Sequence, residues 1–201
     1  MIKNIIFDLG NVILSFKPKK FLLRYTTDED YIEEFYSKVI KSDIWLNLDY
    51  GRISLNNAKK EFLERFPEDS KFIITFFNNW KEIFTPIQSN IKILHDLKSN
   101  GYKVYFLSNF IDEGFEFIRN QYEFFSFFNG GIISCDEEVV KPEIEIYLKL
   151  INKYNLIPEE SIFIDDLPKN LSPAQKLKMK TILYSANTDL RTELRKFKVS
   201  I

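Results

Sequence analysis

Five short segments of the chain, residues 4–7, 102–107, 131–134, 161–164 and 181–184, are rich in apolar and β-favouring side chains. The first, second and fourth are nearly unbroken apolar runs, the pattern of strands covered on both faces. Between them the apolar spacing becomes helical. Ile91, Ile93, Leu94 and Leu97 share one helical stripe, and Asn100-Gly101 reads as a helix stop before the next strand. Ile144, Tyr147, Leu148 and Ile151 mark a second stripe, in a helix expected over residues 144–154. Strands alternating with helices predict an α/β fold with a parallel sheet and right-handed crossovers.

Spacing refines that architecture. From the second strand onward the strands begin about 20 to 30 residues apart, ordinary for βαβ units. The first two begin at residues 4 and 102, and the gap holds amphipathic helical sequence over 31–40, 55–66 and 71–84, with no comparable strand run. The expected organisation is a doubly wound, Rossmann-like core from residues 1–15 and 87–201, with a small α-helical cap, residues 16–86, inserted after the first strand. Such an insertion lies over the C-terminal edge of the sheet, where open α/β folds bind ligands.

Composition narrows the function classes. A chain of 201 residues buries roughly 70% of its unfolded surface, so a core of this size needs no staple. The 28 basic and 29 acidic residues nearly cancel, which argues against a broad nucleic-acid or membrane surface. A single cysteine, Cys135, closes no internal disulfide and fits a reducing, cytoplasmic compartment. No run approaches the roughly 18 apolar residues of a membrane helix, and Asp8 breaks the first apolar run too early for a signal peptide.

The polar residues at the strand ends carry the chemistry. Asp8 closes the first strand and opens into Leu9-Gly10-Asn11-Val12; Ser108-Asn109 closes the second; Lys141-Pro142 follows the third; Asp165-Asp166 closes the fourth. In a parallel sheet all four project from one edge. Each has an ordinary structural explanation taken singly: Asp8 or Ser108 as a helix N-cap, Lys141 as a solvated lysine, Asp165-Asp166 as a turn. Gathered at one edge, three carboxylates repel by about 4 kcal/mol per pair at about 4 Å and an effective dielectric near 20. A hard divalent cation and Lys141 would relieve that repulsion and also bind a phosphate.

With these motifs in this order, the chain resembles the haloacid dehalogenase (HAD) superfamily of Mg²⁺-dependent phosphohydrolases along essentially its whole length. Phe7-Asp8-Leu9-Gly10-Asn11-Val12, Leu107-Ser108-Asn109, Lys141-Pro142-Glu143 and Phe163-Ile164-Asp165-Asp166 are similar to its four motifs. The first motif and the stretch Tyr50-Gly51-Arg52-Ile53-Ser54 resemble the bacterial sugar-phosphatase group typified by α-D-glucose-1-phosphatase. The resemblance implies that Asp8 attacks phosphorus and forms an aspartyl-phosphate. It implies that Asp8, the Gly10 carbonyl and one or both of Asp165 and Asp166 hold Mg²⁺. Ser108 and Asn109 would bind the phosphoryl oxygens, Lys141 would balance charge on nucleophile and phosphate, and Asn170 would orient the metal loop.

One position departs from the family pattern. Most of its phosphatases carry a second aspartate, the acid for the leaving group, where this chain has Gly10, and such acid–base help is typically worth about 10² to 10⁴ in rate. An acid from the cap, a leaving group that needs little protonation, or lost activity would each follow. The expected function is hydrolysis of a small phosphorylated metabolite, a sugar phosphate first, by a monomer or homodimer. The alternatives are a weak or inactive relative that binds a phosphorylated ligand or protein partner, and a dehalogenase-type hydrolase. His95, the only histidine, lies in a helical stretch, Phe124-Phe125 and Phe127-Phe128 read as core, and Lys17, Lys19 and Lys20 read as a solvated helix start or an anion-greeting edge.

Overall fold

The computed structural model describes residues 1–201. Along the chain come β1 (Asn4–Phe7), β2 (Leu14–Phe16), α1 (Pro18–Leu22), α2 (Glu29–Val39), α3 (Asp43–Asp49), α4 (Leu55–Arg65), α5 (Ser70–Asn79) and β3 (Phe84–Pro86). Then follow α6 (Gln88–Ser99), β4 (Lys103–Ser108), α7 (Asp112–Gln121), β5 (Gly130–Ile133), α8 (Ser134–Glu137), α9 (Ile144–Tyr154), β6 (Ser161–Asp165), α10 (Pro168–Lys176), β7 (Lys180–Leu183) and α11 (Leu190–Lys196). Five strands form one parallel sheet in the order β5-β4-β1-β6-β7, so the chain winds outward in both directions from β1. This is the doubly wound α/β topology that the alternation of patterns predicts.

The unbroken apolar runs belong to the central strands because both faces are covered. Every residue of β1 and β6 is buried. Side chains alternate between faces. Ile5, Phe7, Ile162 and Ile164 point into one core with Ile93, Leu94 and Leu97 of α6. Ile6 and Phe163 point into the other, against Ile146, Tyr147 and Leu150 of α9 and Leu171 and Ala174 of α10. The α9 expectation is therefore corrected. Of the stripe through Ile144, Tyr147, Leu148 and Ile151, Tyr147 is buried and Ile151 packs against the core, but Leu148 is 38% exposed, and Ile146 and Leu150 are buried instead. That helix is apolar around much of its circumference, and the sheet, not the period, selects the face.

The residues between β1 and β4 form a helical layer entered and left through a short antiparallel ribbon, β2 against β3, in which Phe16 stacks on Phe84 with ring centroids 5.4 Å apart. Asp28, Ser42 and Ser54 start α2, α3 and α4 by accepting the backbone N–H of Tyr31, Trp45 and Asn57. Phe21, Phe35, Phe76, Phe77 and Trp80 fill the layer's interior. One expectation fails at its border. The helix expected over 71–84 ends at Asn79, passes through a 3₁₀ turn at Trp80–Ile83 and becomes β3, and the ribbon strands β2 and β3, of three residues each, are not comparable to those of the main sheet. Three-residue strands are too short to show a period, and Pro86, without an N–H, cannot extend a helix. Other differences are shifts of one or two residues at the ends of α2, α4, β4, β5, β6 and β7.

One turn docks this layer on the sheet. Ser134 Oγ donates to the Asp49 carbonyl at 2.5 Å, the Tyr50 hydroxyl donates to Glu143, and Leu55 N–H donates to Glu113 at 3.0 Å. Gly51 has φ +71, and a Cβ there would lie 2.3 Å from the Cys135 carbonyl oxygen. Only glycine satisfies both the left-handed backbone and that approach. Gly51→Ala is expected to lower the unfolding free energy by about 1–3 kcal/mol in a urea titration, and an unchanged midpoint would mean the turn does not bear on the core as described.

Candidate active site

Sheet register assembles the site. Phe7 pairs with Ile164 on one side and Phe106 on the other, so the next residue, Asp8, emerges beside Asp165 and close to Ser108. The Asp8 N–H continues the ladder onto the Ile164 carbonyl at 2.8 Å. The turn that follows uses Asn11 at φ +53, a conformation asparagine tolerates better than most residues. Asn11 Oδ1 accepts the Phe16 N–H at 3.0 Å and its Nδ2 donates to Asp166 Oδ2 at 3.1 Å, tying the end of β1 to the end of β6.

Lys141 sits at the centre. Its Nζ lies 2.9 Å from Asp8 Oδ1 and 2.6 Å from Asp165 Oδ2, and its side chain is 1% exposed. The lysine is held by its backbone as well. Asn109 Oδ1 accepts the Lys141 N–H at 2.7 Å, and Asn109 Nδ2 donates to the Lys141 carbonyl at 3.0 Å. The Asn109 carboxamide is thus engaged with this loop. Asp165 is fully engaged too: Oδ1 accepts from the Leu167 N–H at 2.8 Å and from Asn170 Nδ2 at 3.0 Å, while Oδ2 accepts from Lys141.

Electrostatics follow from burial. Burial pushes the Asp8 carboxyl up to about 7; the Lys141 charge opposes the rise and Asp165 adds to it. Burial acts to lower Lys141, but Asp8 and Asp165 outweigh it and hold the ammonium above its usual range. Asp166 is raised by burial, with the Asn11 hydrogen bond opposing. Three carboxylates against one ammonium leave two negative charges, the charge of one divalent cation. The ligand atoms of Asp8, Asp165 and Asp166 lie within 4.8 Å of one another, and all are hard oxygen donors. Asn170 Oδ1, buried beside them, has no hydrogen-bond partner. The residues therefore fit a hard divalent ion.

These groups open onto a cavity of about 310 Å³. Its floor carries Asp8, Gly10, Asn11, Ser108, Lys141 and Asp166; its roof is Phe16, Tyr36, Ile40, Trp45, Asp49 and Phe84. Every residue singled out at the strand ends is brought together. His95 is exposed on α6, and Lys17, Lys19 and Lys20 lie outside the cavity, Lys19 being paired with Glu33. The basic group sequence reasoning missed is Lys169, and the acidic one is Asp49. Asp49 precedes the Tyr50-Gly51 turn already noted, but nothing local shows which way it faces.

The haloacid dehalogenase-like hydrolase family model matches residues 2–177. The sesquiterpene phosphatase astK of Aspergillus oryzae is 24% identical over 177 residues, covering 88% of this chain and 87% of that protein. Bifunctional epoxide hydrolase 2 of Mus musculus is 32% identical over 104 residues, 50% of this chain but 19% of that protein. Among solved structures, the HAD family enzyme bt-2542 of Bacteroides thetaiotaomicron in its magnesium complex superposes with a TM-score of 0.77 at 24% identity, covering 96% of this chain and 98% of that one. The L-2-haloacid dehalogenase of Xanthobacter autotrophicus, with chloropropionic acid covalently bound, gives a TM-score of 0.68 at 16% identity, covering 100% and 85%.

Removing the central cation while keeping its volume tests the charge balance. Lys141→Met is expected to cost about 3–5 kcal/mol of unfolding free energy in EDTA, because Asp8 and Asp165 are left buried without a counter-charge. A loss under about 1 kcal/mol would show that the carboxylates do not depend on it.

Proposed function

The chain belongs to the haloacid dehalogenase-like hydrolases, and we propose that it is a Mg²⁺-dependent phosphatase acting on a small phosphate monoester through a phospho-aspartate. The observation that carries this reading is the buried cluster of Asp8, Lys141, Asp165 and Asp166, short of two positive charges and facing a cavity. A phosphate brings more negative charge to such a place, so only a site that recruits a cation accepts it. The bt-2542 enzyme, similar in fold, is known in complex with magnesium and inorganic phosphate.

The roles follow from which atoms are free. Asp8 Oδ1 is held by Lys141 and by the Leu9 N–H at 2.7 Å, which leaves Oδ2 as the oxygen for attack on phosphorus. Mg²⁺, when bound, supplies charge neutralisation of the transferring phosphoryl group. Asp8, the Gly10 carbonyl and Asp166 would hold it. Asp165 is already saturated by Lys141, Asn170 and the Leu167 N–H, so its part is to fix Lys141 and the metal loop. The Ser108 hydroxyl and the Asn109 main chain would bind phosphoryl oxygens, and Lys141 would neutralise both nucleophile and phosphate. Residues 16–86 act as the cap, with residues 1–15 and 87–201 as the core.

Two substrate arms are distinguished by the roof. A sugar phosphate remains the first, as the motif resemblance implies. The roof favours a second: Phe16, Ile40, Trp45 and Phe84 offer apolar surface, against the polar groups of Tyr36 and Asp49 and the indole N–H of Trp45. A phosphate on an apolar alcohol would bury those rings, and a relative of this chain is a sesquiterpene phosphatase. Phosphate release from sugar phosphates, isoprenoid or alkyl phosphates and acyl phosphates is expected with Mg²⁺, absent in EDTA and absent in Asp8→Asn. Release that persists in Asp8→Asn would remove the phospho-aspartate. No release from any substrate would favour a binding module, and chloride release from a haloacid without metal a dehalogenase. Separately, Mg²⁺ at about a hundredfold its Kd should stabilise the wild type by about 2.7 kcal/mol, and Asp166→Asn should abolish the accompanying rise in Tm. An unchanged rise would exclude Asp166 as a ligand.

A further inference from the structure

When the P–O bond of an alkyl phosphate breaks, the departing oxygen needs a proton, and the floor of the cavity has no carboxyl to spare. Asp8 is held by Lys141 and the Leu9 N–H, and Asp166 by Asn11. Gly10, next to the nucleophile, contributes no side chain, although a Cβ there would meet nothing closer than Asp8 Oδ2 at 3.9 Å. One carboxyl lining the cavity has no hydrogen bond or ion pair of its own, that of Asp49 on the roof. Resting on the phosphatase reading, we propose that Asp49, delivered by the helical layer, is the general acid that protonates the leaving oxygen and the general base that activates the hydrolytic water.

Three features of its placement support this. Asp49 is the last residue of α3, and its carbonyl is gripped by Ser134 Oγ at 2.5 Å. The two residues after it are anchored as well, Tyr50 on Glu143 and Gly51 against the Cys135 carbonyl. The backbone is thus pinned to the sheet edge while the side chain stays uncommitted, an arrangement that positions a reacting group without neutralising it. The groups that sense it electrostatically, Lys141, Asp8 and Lys169, come from the floor of the same cavity. Burial pushes the Asp49 carboxyl up to about 7, with Lys141 opposing, Asp8 adding to the rise and Lys169 opposing, so a share of it carries a proton near neutral pH.

The step balances. Asp8 Oδ2 forms a bond to phosphorus as the bond from phosphorus to the alkoxy oxygen breaks; that oxygen keeps the electron pair and takes the Asp49 proton, leaving as the alcohol. Water then attacks the aspartyl-phosphate and gives a proton to Asp49. The bond from phosphorus to Asp8 breaks, releasing phosphate and restoring the carboxylate of Asp8 and the acid of Asp49.

Leaving-group dependence tests it. Asp49→Asn is expected to lower kcat/KM for an alkyl phosphate about 10²- to 10⁴-fold. The first-turnover burst of nitrophenolate from p-nitrophenyl phosphate, whose leaving group departs without a proton, is expected to remain, while its steady-state turnover falls because the water attacking the aspartyl-phosphate has lost its base. Asp49→Glu should restore part of the alkyl activity. The retained nitrophenolate burst reports a folded site in the same sample. Loss of the nitrophenolate burst together with the alkyl activity, or no loss of alkyl kcat/KM, would overturn the assignment while leaving the phosphatase standing. A wild type that releases phosphate from neither would overturn both.

Discussion

The ammonium of Lys141 is the group on which the rest of this structure depends. It holds two buried carboxylates, Asp8 and Asp165, that stand side by side at the ends of neighbouring strands and would otherwise repel. Burying three charged groups costs several kcal/mol each in lost hydration, recovered only when geometry is close and the remaining polar atoms are satisfied. That condition is met in detail. Asn109 grips both backbone groups of Lys141, Asn170 and the Leu167 N–H occupy Asp165, and the Leu9 N–H occupies Asp8. The balance is deliberately incomplete, because Asp166 joins the cluster without a positive partner. A site left negative in this way is stabilised by the cation its chemistry needs.

The sheet makes that arrangement possible. In a parallel sheet wound outward from β1, the strands that flank β1 are the ones that end in Ser108 and in Asp165-Asp166. The strand ladder sets their relative height, so no loop has to search for the position of Asp8 relative to Asp165. The helical layer completes the site from above. It is aromatic inside, enters through a two-stranded ribbon and rests on the sheet edge at the Asp49-Tyr50-Gly51 turn. A polar floor on rigid strands lies beneath a largely apolar roof, and on the proposed reading the floor would bind the phosphoryl group while the roof would meet what differs between substrates.

Much of this was legible along the chain. The central strands announced themselves because burial on both faces removes polar alternation, and the polar residues that end them stood out against those runs. Asp8, Ser108, Lys141 and Asp165-Asp166 were found that way, and Asn170 through the family resemblance. The short ribbon was not legible, because three residues carry no period and its pairing joins Phe16 to Phe84 across the whole insertion. Nor was the buried face of α9, whose apolar residues encircle much of the helix and wait for the sheet to choose among them.

What the sequence determined by itself was the alternation of elements, the place of the insertion and the identity of the groups at the strand ends, since each is set by neighbours within a few residues. What the tertiary structure decided was the state of those groups: which carboxylate is saturated and which is free, that the Asn109 carboxamide serves Lys141, and that Asp49 faces Asp8's cavity. Those outcomes depend on burial and on distances between residues dozens of positions or more apart, and neither quantity exists until the chain has folded.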